Sequence, residues 1–171
     1  MAEKYTPEQA KFAKSLIKYF SRLQARIFIL TKGKFFNTWP GGYPVMIVET
    51  KGAKSNKKRL IPLIYVYKNE NPILVASLGG MPKNPSWFYN VKANPKVKIY
   101  SPKHNGDYEA VLLSNEERDS LWDTICSFYP SYQEYKENTD RDIPVFECVP
   151  SSIMQISFKE LIKLLIKLYS V

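Results

Sequence analysis

The 171-residue chain holds two cysteines, Cys126 and Cys148, and one histidine, His104. Two cysteines exclude a disulfide framework and a four-thiolate zinc site. One histidine, beside a turn signal, leaves little for a Ser–His or Cys–His nucleophile pair. No His, Cys and carboxylate cluster has metal-ligand spacing, so no metal is expected. There is no G-x-G-x-x-G and no Walker A loop, so the usual dinucleotide and P-loop sites lack support. Without nucleophile or metal, any redox or transfer chemistry falls to an organic cofactor. Apolar stretches stop short of the roughly 18 residues that argue a membrane span. The N-terminal residues lack an apolar core followed by a small-residue cleavage site, and a reduced, cytoplasmic protein is expected. Repeats, low-complexity tracts and domain-splitting linkers are also missing.

What is present is positive charge. The net charge is +9, and the apolar and charged fractions, 44% and 24%, are those of a globular domain. An anionic partner is implied: nucleic acid, an anionic membrane surface or a phosphorylated small molecule. The basic residues fall in three places. At the N-terminus, Thr6, Pro7 and Gln9 read as a helix start with a capping box. Phe12, Leu16, Phe20, Leu23, Ile27 and Leu30 then repeat at helical spacing, with Lys14, Lys18, Arg22 and Arg26 on another face. Such a helix packs on its own domain, lies in a membrane interface or forms a nucleic-acid arm. At the other end, Lys159, Lys163 and Lys167 line one stripe of an apolar segment, 158–171. It is too short to span a bilayer, so it either docks on the domain or lies in an interface.

The third basic region is the run Lys51 to Arg59, with five positive charges and no negative one. It lies between strand-like runs Val45 to Thr50 and Leu60 to Tyr67, with Gly52 and Asn56 as turn residues. It reads either as a solvated hairpin loop or as a cradle for a phosphate. Further strands are expected over Pro72 to Ser77, Val97 to Ser101, Tyr108 to Leu113 and Val145 to Val149. Leu78, Gly79 and Gly80 form a backbone that approaches a ligand closely. A short helix opens at Pro85, and Asn105-Gly106 signals a hairpin. Ser114 caps a helix running to Phe128, and a tyrosine-rich turn or short helix follows. The fold class is α+β: a split β-barrel of about six mostly antiparallel strands with flanking helices. The divisions are 1–43 (basic helix and connection), 44–150 (barrel) and 151–171 (C-terminal helix).

Several short motifs occur in order: Gly52 to Arg59, Pro62-Leu63, Ala76 to Gly80, Lys83 to Asn90, Ala93 to Val97, Tyr129 to Tyr135, Thr139-Asp140-Arg141 and Ile143-Pro144. Together they resemble the deazaflavin (F420)-dependent nitroreductase family, quinone reductase type. The resemblance implies a barrel related to FMN-binding barrels, holding coenzyme F420 in a groove. It implies that Lys54, Ser55, Asn56, Lys57, Lys58 and Arg59 hold the cofactor's phosphate and polyglutamate tail. Ala76, Ser77, Leu78, Gly79 and Gly80 would run along the ring system, flanked by Trp87, Phe88, Tyr89 and Asn90. Tyr129, Tyr132 and Tyr135 would wall the acceptor pocket, with Ser77 near the transferred hydride. Three positions depart from the family pattern. Asn56 stands for a glycine, Leu78 for a common lysine, and Ile64 for an aromatic residue, with Tyr65 shifted to the opposite strand face. The expected activity is hydride transfer from reduced F420 to a quinone-like or nitroaromatic acceptor. Peripheral contact with an anionic membrane is expected, no nucleic acid, and a monomer or weak dimer. The alternatives are an FMN-using or lipid-substrate reductase of the same fold, or a noncatalytic cofactor- or lipid-binding module.

Overall fold

The computed structural model describes residues 7–151, with side chains from residue 19 onward. The Thr6 cap and the amphipathic segment expected over 158–171 lie outside the described residues. Strands β1 (Val45–Lys51), β2 (Lys58–Ile64), β3 (Val66–Lys68), β4 (Asn71–Val75), β5 (Lys96–Tyr100), β6 (Gly106–Leu112) and β7 (Val145–Pro150) form one sheet. Its order is β2-β1-β5-β6-β7-β4-β3, and every pairing is antiparallel. The sheet curls into a half-barrel, the split-barrel architecture expected.

Seven strands replace six because the run Leu60 to Tyr67 breaks at Tyr65. Ile64 still pairs with Val45 of β1, whereas Val66 pairs with Ile73 of β4. Between them the Tyr65 N–H donates to the Pro44 carbonyl at 2.8 Å. The two edge strands are therefore consecutive in the chain. Pro62 fits this arrangement, since a residue without an N–H suits an edge strand. At the break the Tyr65 hydroxyl is bonded to His104 Nδ1, and His104 Nε2 to Glu70 at 3.2 Å. The Tyr67 ring packs against both rings, with centroids 5.3 and 5.6 Å away.

The Asn105-Gly106 turn also differs from expectation. Gly106 is already in β6, paired with Ile99, and residues 101–105 make a longer connection. Asn105 closes it through its side chain, accepting from the Ser101 N–H at 3.1 Å.

Helices α1 (Pro7–Leu30), α2 (Ser86–Ala93), α3 (Asn115–Phe128) and α4 (Ser131–Glu137) flank the sheet. Ser114 caps α3 as expected. Its hydroxyl accepts from the Glu117 N–H at 3.2 Å, and the Glu117 carboxylate accepts from the Ser114 N–H at 2.8 Å. Met46, Val48, Leu74, Phe88, Ile99, Phe146 and Cys148 fill the inside of the half-barrel with α2. Ile73, Val75, Trp122, Ile125, Tyr129 and Tyr132 pack α3 and α4 on the other face. Each fully buried large side chain here contributes about 1.5–3 kcal/mol.

α1 packs through a different stripe from the one its hydropathy marks. Gln24, Ala25 and Phe28 are buried against Val45 and Ile47, whereas Phe20, Leu23 and Leu30 are 47, 55 and 82% exposed. Gln24 reaches the sheet side because its amide donates to the Phe36 carbonyl at 3.2 Å. Its Oε1 is buried without a hydrogen-bond partner among the described residues, and a polar residue so placed is invisible to an apolar-periodicity reading. Among the described residues no helix is long and apolar enough to cross a membrane.

Candidate functional site

A cavity of about 310 Å³ opens beside edge strand β2. Its walls come from Ile61 to Ile64 of β2, Val75 at the end of β4, the turn Ser77 to Gly79, Met81, Pro85, Trp87, and Tyr129, Tyr132 and Tyr135 around α4. Ser21 of α1 and Trp39 complete it. Ile64 thus faces the cavity while Tyr65, one residue on, is buried among Tyr67 and His104. Tyr65 lies outside the cavity lining, at the break between β2 and β3.

β4 runs out into a left-handed turn, Leu78–Gly80, whose three residues have φ of +48°, +65° and +73°. Leucine in this left-handed region costs about 1–2 kcal/mol. The two glycines take it freely, and for different reasons. A Cβ at Gly79 would meet nothing within 4 Å, so the backbone there borders open space. A Cβ at Gly80 would stand 2.9 Å from the Tyr135 carbonyl, so the turn is pressed directly on α4. Arg141 holds the same segment from behind. Its guanidinium donates to the carbonyls of Ala76 (3.0 Å), Ser77 (2.7 Å) and Met81 (3.0 Å), and to Asn84 Oδ1 (2.7 Å).

The tyrosines form one cluster. Tyr129 and Tyr135 share a hydroxyl–hydroxyl hydrogen bond of 3.1 Å. The Tyr132 ring stands edge-on to both, with centroids 5.1 and 6.1 Å away. Tyr43 closes the outer side, 4.8 Å from Tyr129 at 85°. Burial is the main force pushing the Tyr132 phenol far above its ordinary range, with the neighbouring Tyr135 and Tyr129 adding to it. It is a neutral hydrogen-bonding group at any physiological pH.

The basic loop lies at the other end of β2. It is a closed turn: the Gly52 N–H donates to Lys57 O at 2.9 Å, and the Asn56 N–H to Gly52 O at 2.8 Å. Asn56 takes φ +51°, the conformation a glycine would supply. Lys54, Ser55, Lys57 and Arg59 are exposed. Lys58 is paired with Glu49 at 2.7 Å, which holds that carboxylate below its usual range. The Ala53 N–H donates to Asn90 Oδ1 at 3.0 Å, tying the loop to α2.

Of the residues marked in the sequence, the cavity brings together Ser77, Leu78, Gly79, Trp87, Tyr129, Tyr132 and Tyr135. Asn90 braces the loop. Ala76 is fully buried and meets Arg141 through its carbonyl; Phe88 packs on Phe146 inside the half-barrel; Tyr89 is 54% exposed. Ser21, Trp39, Met81 and the clamping role of Arg141 were missed. Trp39 sits in the Pro- and Gly-rich stretch 39–44, where its N–H donates to Tyr43 O at 2.7 Å. That stretch was the available signal, since such backbone in front of a strand positions side chains from a rigid turn.

A family model described as F420H(2)-dependent quinone reductase matches residues 20–150. The chain is similar to the F420H(2)-dependent quinone reductase Rv1261c of Mycobacterium tuberculosis, 34% identical over 127 residues, which are 72% of this chain and 85% of that one. Among solved structures, one described as F420-H2 dependent reductase (FDR-A) is 47% identical with a TM-score of 0.57, over 61% of this chain and 93% of that chain. Another, described as a domain-swapped dimer, is 40% identical with a TM-score of 0.60, over 77% and 97%.

Proposed function

We propose that this chain, which belongs to the F420H(2)-dependent quinone reductase family, passes a hydride from reduced coenzyme F420 to a quinone-like or nitroaromatic acceptor at a membrane surface. Membership makes it an oxidoreductase with coenzyme F420 as its cofactor. The observation that carries the finer reading is a single cavity joining the Ser77–Gly79 turn to three tyrosines, with a basic loop at the far end of the same strand.

The residues present suit the cofactor. The cavity volume falls in the range of about 300–1,000 Å³ typical of small-molecule sites. Open space beside Gly79 admits a flat ring against bare backbone. Lys54, Lys57 and Arg59 are exposed cations on a loop fixed to α2, suited to phosphate and glutamate carboxylates. When bound, the reduced deazaflavin supplies a hydride, two electrons with one proton. The chain's own residues orient and shield. Ile61, Leu63, Met81 and Trp87 exclude water from the reacting faces. The Tyr129–Tyr135 hydroxyl pair donates a hydrogen bond to the acceptor oxygen as negative charge develops there. Tyr132 stays a neutral phenol and a wall of the acceptor side. The proton that completes reduction comes from water.

The membrane part of the proposal rests on α1. Tyr19, Leu23 and Leu30 are exposed, with the cations Arg22 and Arg26 beside them. Apolar side chains flanked by arginines suit the headgroup region of an anionic bilayer. Ser21, on the opposite face of the same helix, lines the cavity, so the helix proposed to meet the bilayer is also a wall of the site.

The test is a fluorescence titration with F420, FMN and FAD. Binding of F420 in preference to both flavins is expected. Preference for FMN would move the protein to the flavin-using branch of the fold.

A further inference from the structure

We propose that Arg141 is a positioning residue of this enzyme: its guanidinium fork holds the left-handed Leu78–Gly80 turn in the shape that accepts the deazaflavin ring. The inference rests on the reading of the cavity given above and adds a residue that lines no part of it.

A guanidinium has five N–H donors in a rigid plane. Here there are five acceptors. Nε donates to Met81 O at 3.0 Å, Nη1 to Asn84 Oδ1 at 2.7 Å and Asp142 O at 3.2 Å, and Nη2 to Ala76 O at 3.0 Å and Ser77 O at 2.7 Å. Four of the five lie on the segment 76–84, on both sides of the turn. The fork therefore fixes how far apart the two ends of that segment stand. The turn needs such a constraint. Leu78 has a Cβ in a conformation that leucine leaves when free to do so, with φ +48°. The neighbouring glycines impose no conformation of their own. The segment is not held by helix or sheet bonds across this stretch, apart from Gly80 N–H to Ser77 O at 3.1 Å and Met81 N–H to Leu78 O at 3.3 Å.

Arg141 is itself anchored. The adjacent Asp142 pairs with Arg118 of α3 at 2.9 Å, and Arg118 is buried. On the strand side, the Ala76 N–H donates to Pro144 O at 2.9 Å. The clamp thus transmits the position of α3 and the 141–144 segment to the cavity wall. A strained turn held open in advance spares the cofactor the cost of ordering it.

The experiment compares Arg141→Gln, Arg141→Lys and Arg141→Gln with Leu78→Gly in the full-length protein, below the melting transition of each. F420 affinity is read by fluorescence, KM and kcat with reduced F420 and a soluble quinone, and backbone exchange over 76–84. Arg141→Gln is expected to bind F420 about tenfold more weakly, with faster exchange at Leu78–Gly80 and an unchanged KM for the quinone. Arg141→Lys keeps the charge but has only three donors, and falls between the two. Leu78→Gly in the Gln background recovers part of the affinity by removing the strain. Folded Arg141→Gln with wild-type affinity would overturn the proposal. So would Arg141→Lys behaving as wild type, because charge alone would then suffice. Failure of the wild type to bind F420 would instead sink the cavity reading on which the proposal rests.

Discussion

Tyr132 is 4% exposed and stands edge-on to Tyr129 and Tyr135. Its phenol is pushed upward by burial, so the folded state keeps the proton after the unfolded state, near pH 10, has lost it. The unfolded chain then binds fewer protons than the native one, and stability falls as pH rises above about 10, by up to about 1.4 kcal/mol per pH unit. Denaturant melts from pH 9 to 11 should show this slope in the wild type and a shallower one in Tyr132→Phe. Cys148, buried in the half-barrel and shifted the same way, supplies part of what remains. In catalysis Tyr132→Phe should reduce kcat more than F420 affinity. Equal loss in both would argue against an acceptor-side role. The cluster was legible in the sequence as a tyrosine motif. The partnership of Tyr129 with Tyr43 was not, because it joins residues 86 positions apart through packing alone.

At the scale of elements, the loop between β1 and β2 and the outer face of α1 make separable predictions. Lys54→Ala with Arg59→Ala should weaken F420 binding and flatten its dependence on ionic strength, since exposed cations are screened by salt. Lys58→Ala should matter less, as that ammonium is already engaged by Glu49. An unchanged affinity in the double variant would reject the cradle. For α1, Leu23→Ser with Leu30→Ser should lower binding to anionic vesicles by about tenfold or more while sparing turnover of a soluble acceptor. Retained vesicle binding would remove α1 as the contact. The strands, α3 and its Ser114 cap were readable because alternation, turn residues and caps are local signals. The packed stripe of α1 was not, since polar Gln24 lies within it, its amide bonded to a backbone carbonyl twelve residues away. Nor did hydropathy separate β2 from β3 in the run Leu60 to Tyr67, where every apolar residue has a buried or half-buried place on one strand or the other.

Across the whole molecule, the sheet is closed on one side by a single residue. Tyr65 joins its two edge strands, and its hydroxyl is held by His104. Tyr65→Phe leaves a buried imidazole nitrogen without its partner, at a cost of about 1–3 kcal/mol. A lower urea midpoint with an unchanged slope is the expected signature. An unaltered midpoint would make the tyrosine–histidine contact incidental to closure. The opposite side of the sheet has its own consequence. β7 lies between β6 and β4, yet it is the last of the seven strands to be synthesised. Until Val145–Pro150 leaves the ribosome, the sheet exists as two pieces, β2-β1-β5-β6 and β4-β3, each with an open edge. The cavity draws Ile61 to Ile64 from one piece and Val75 with Ser77 to Gly79 from the other. A nascent chain therefore has no cofactor site to fill, and its unpaired edges are open to chaperones or to a neighbouring chain until the central strand arrives.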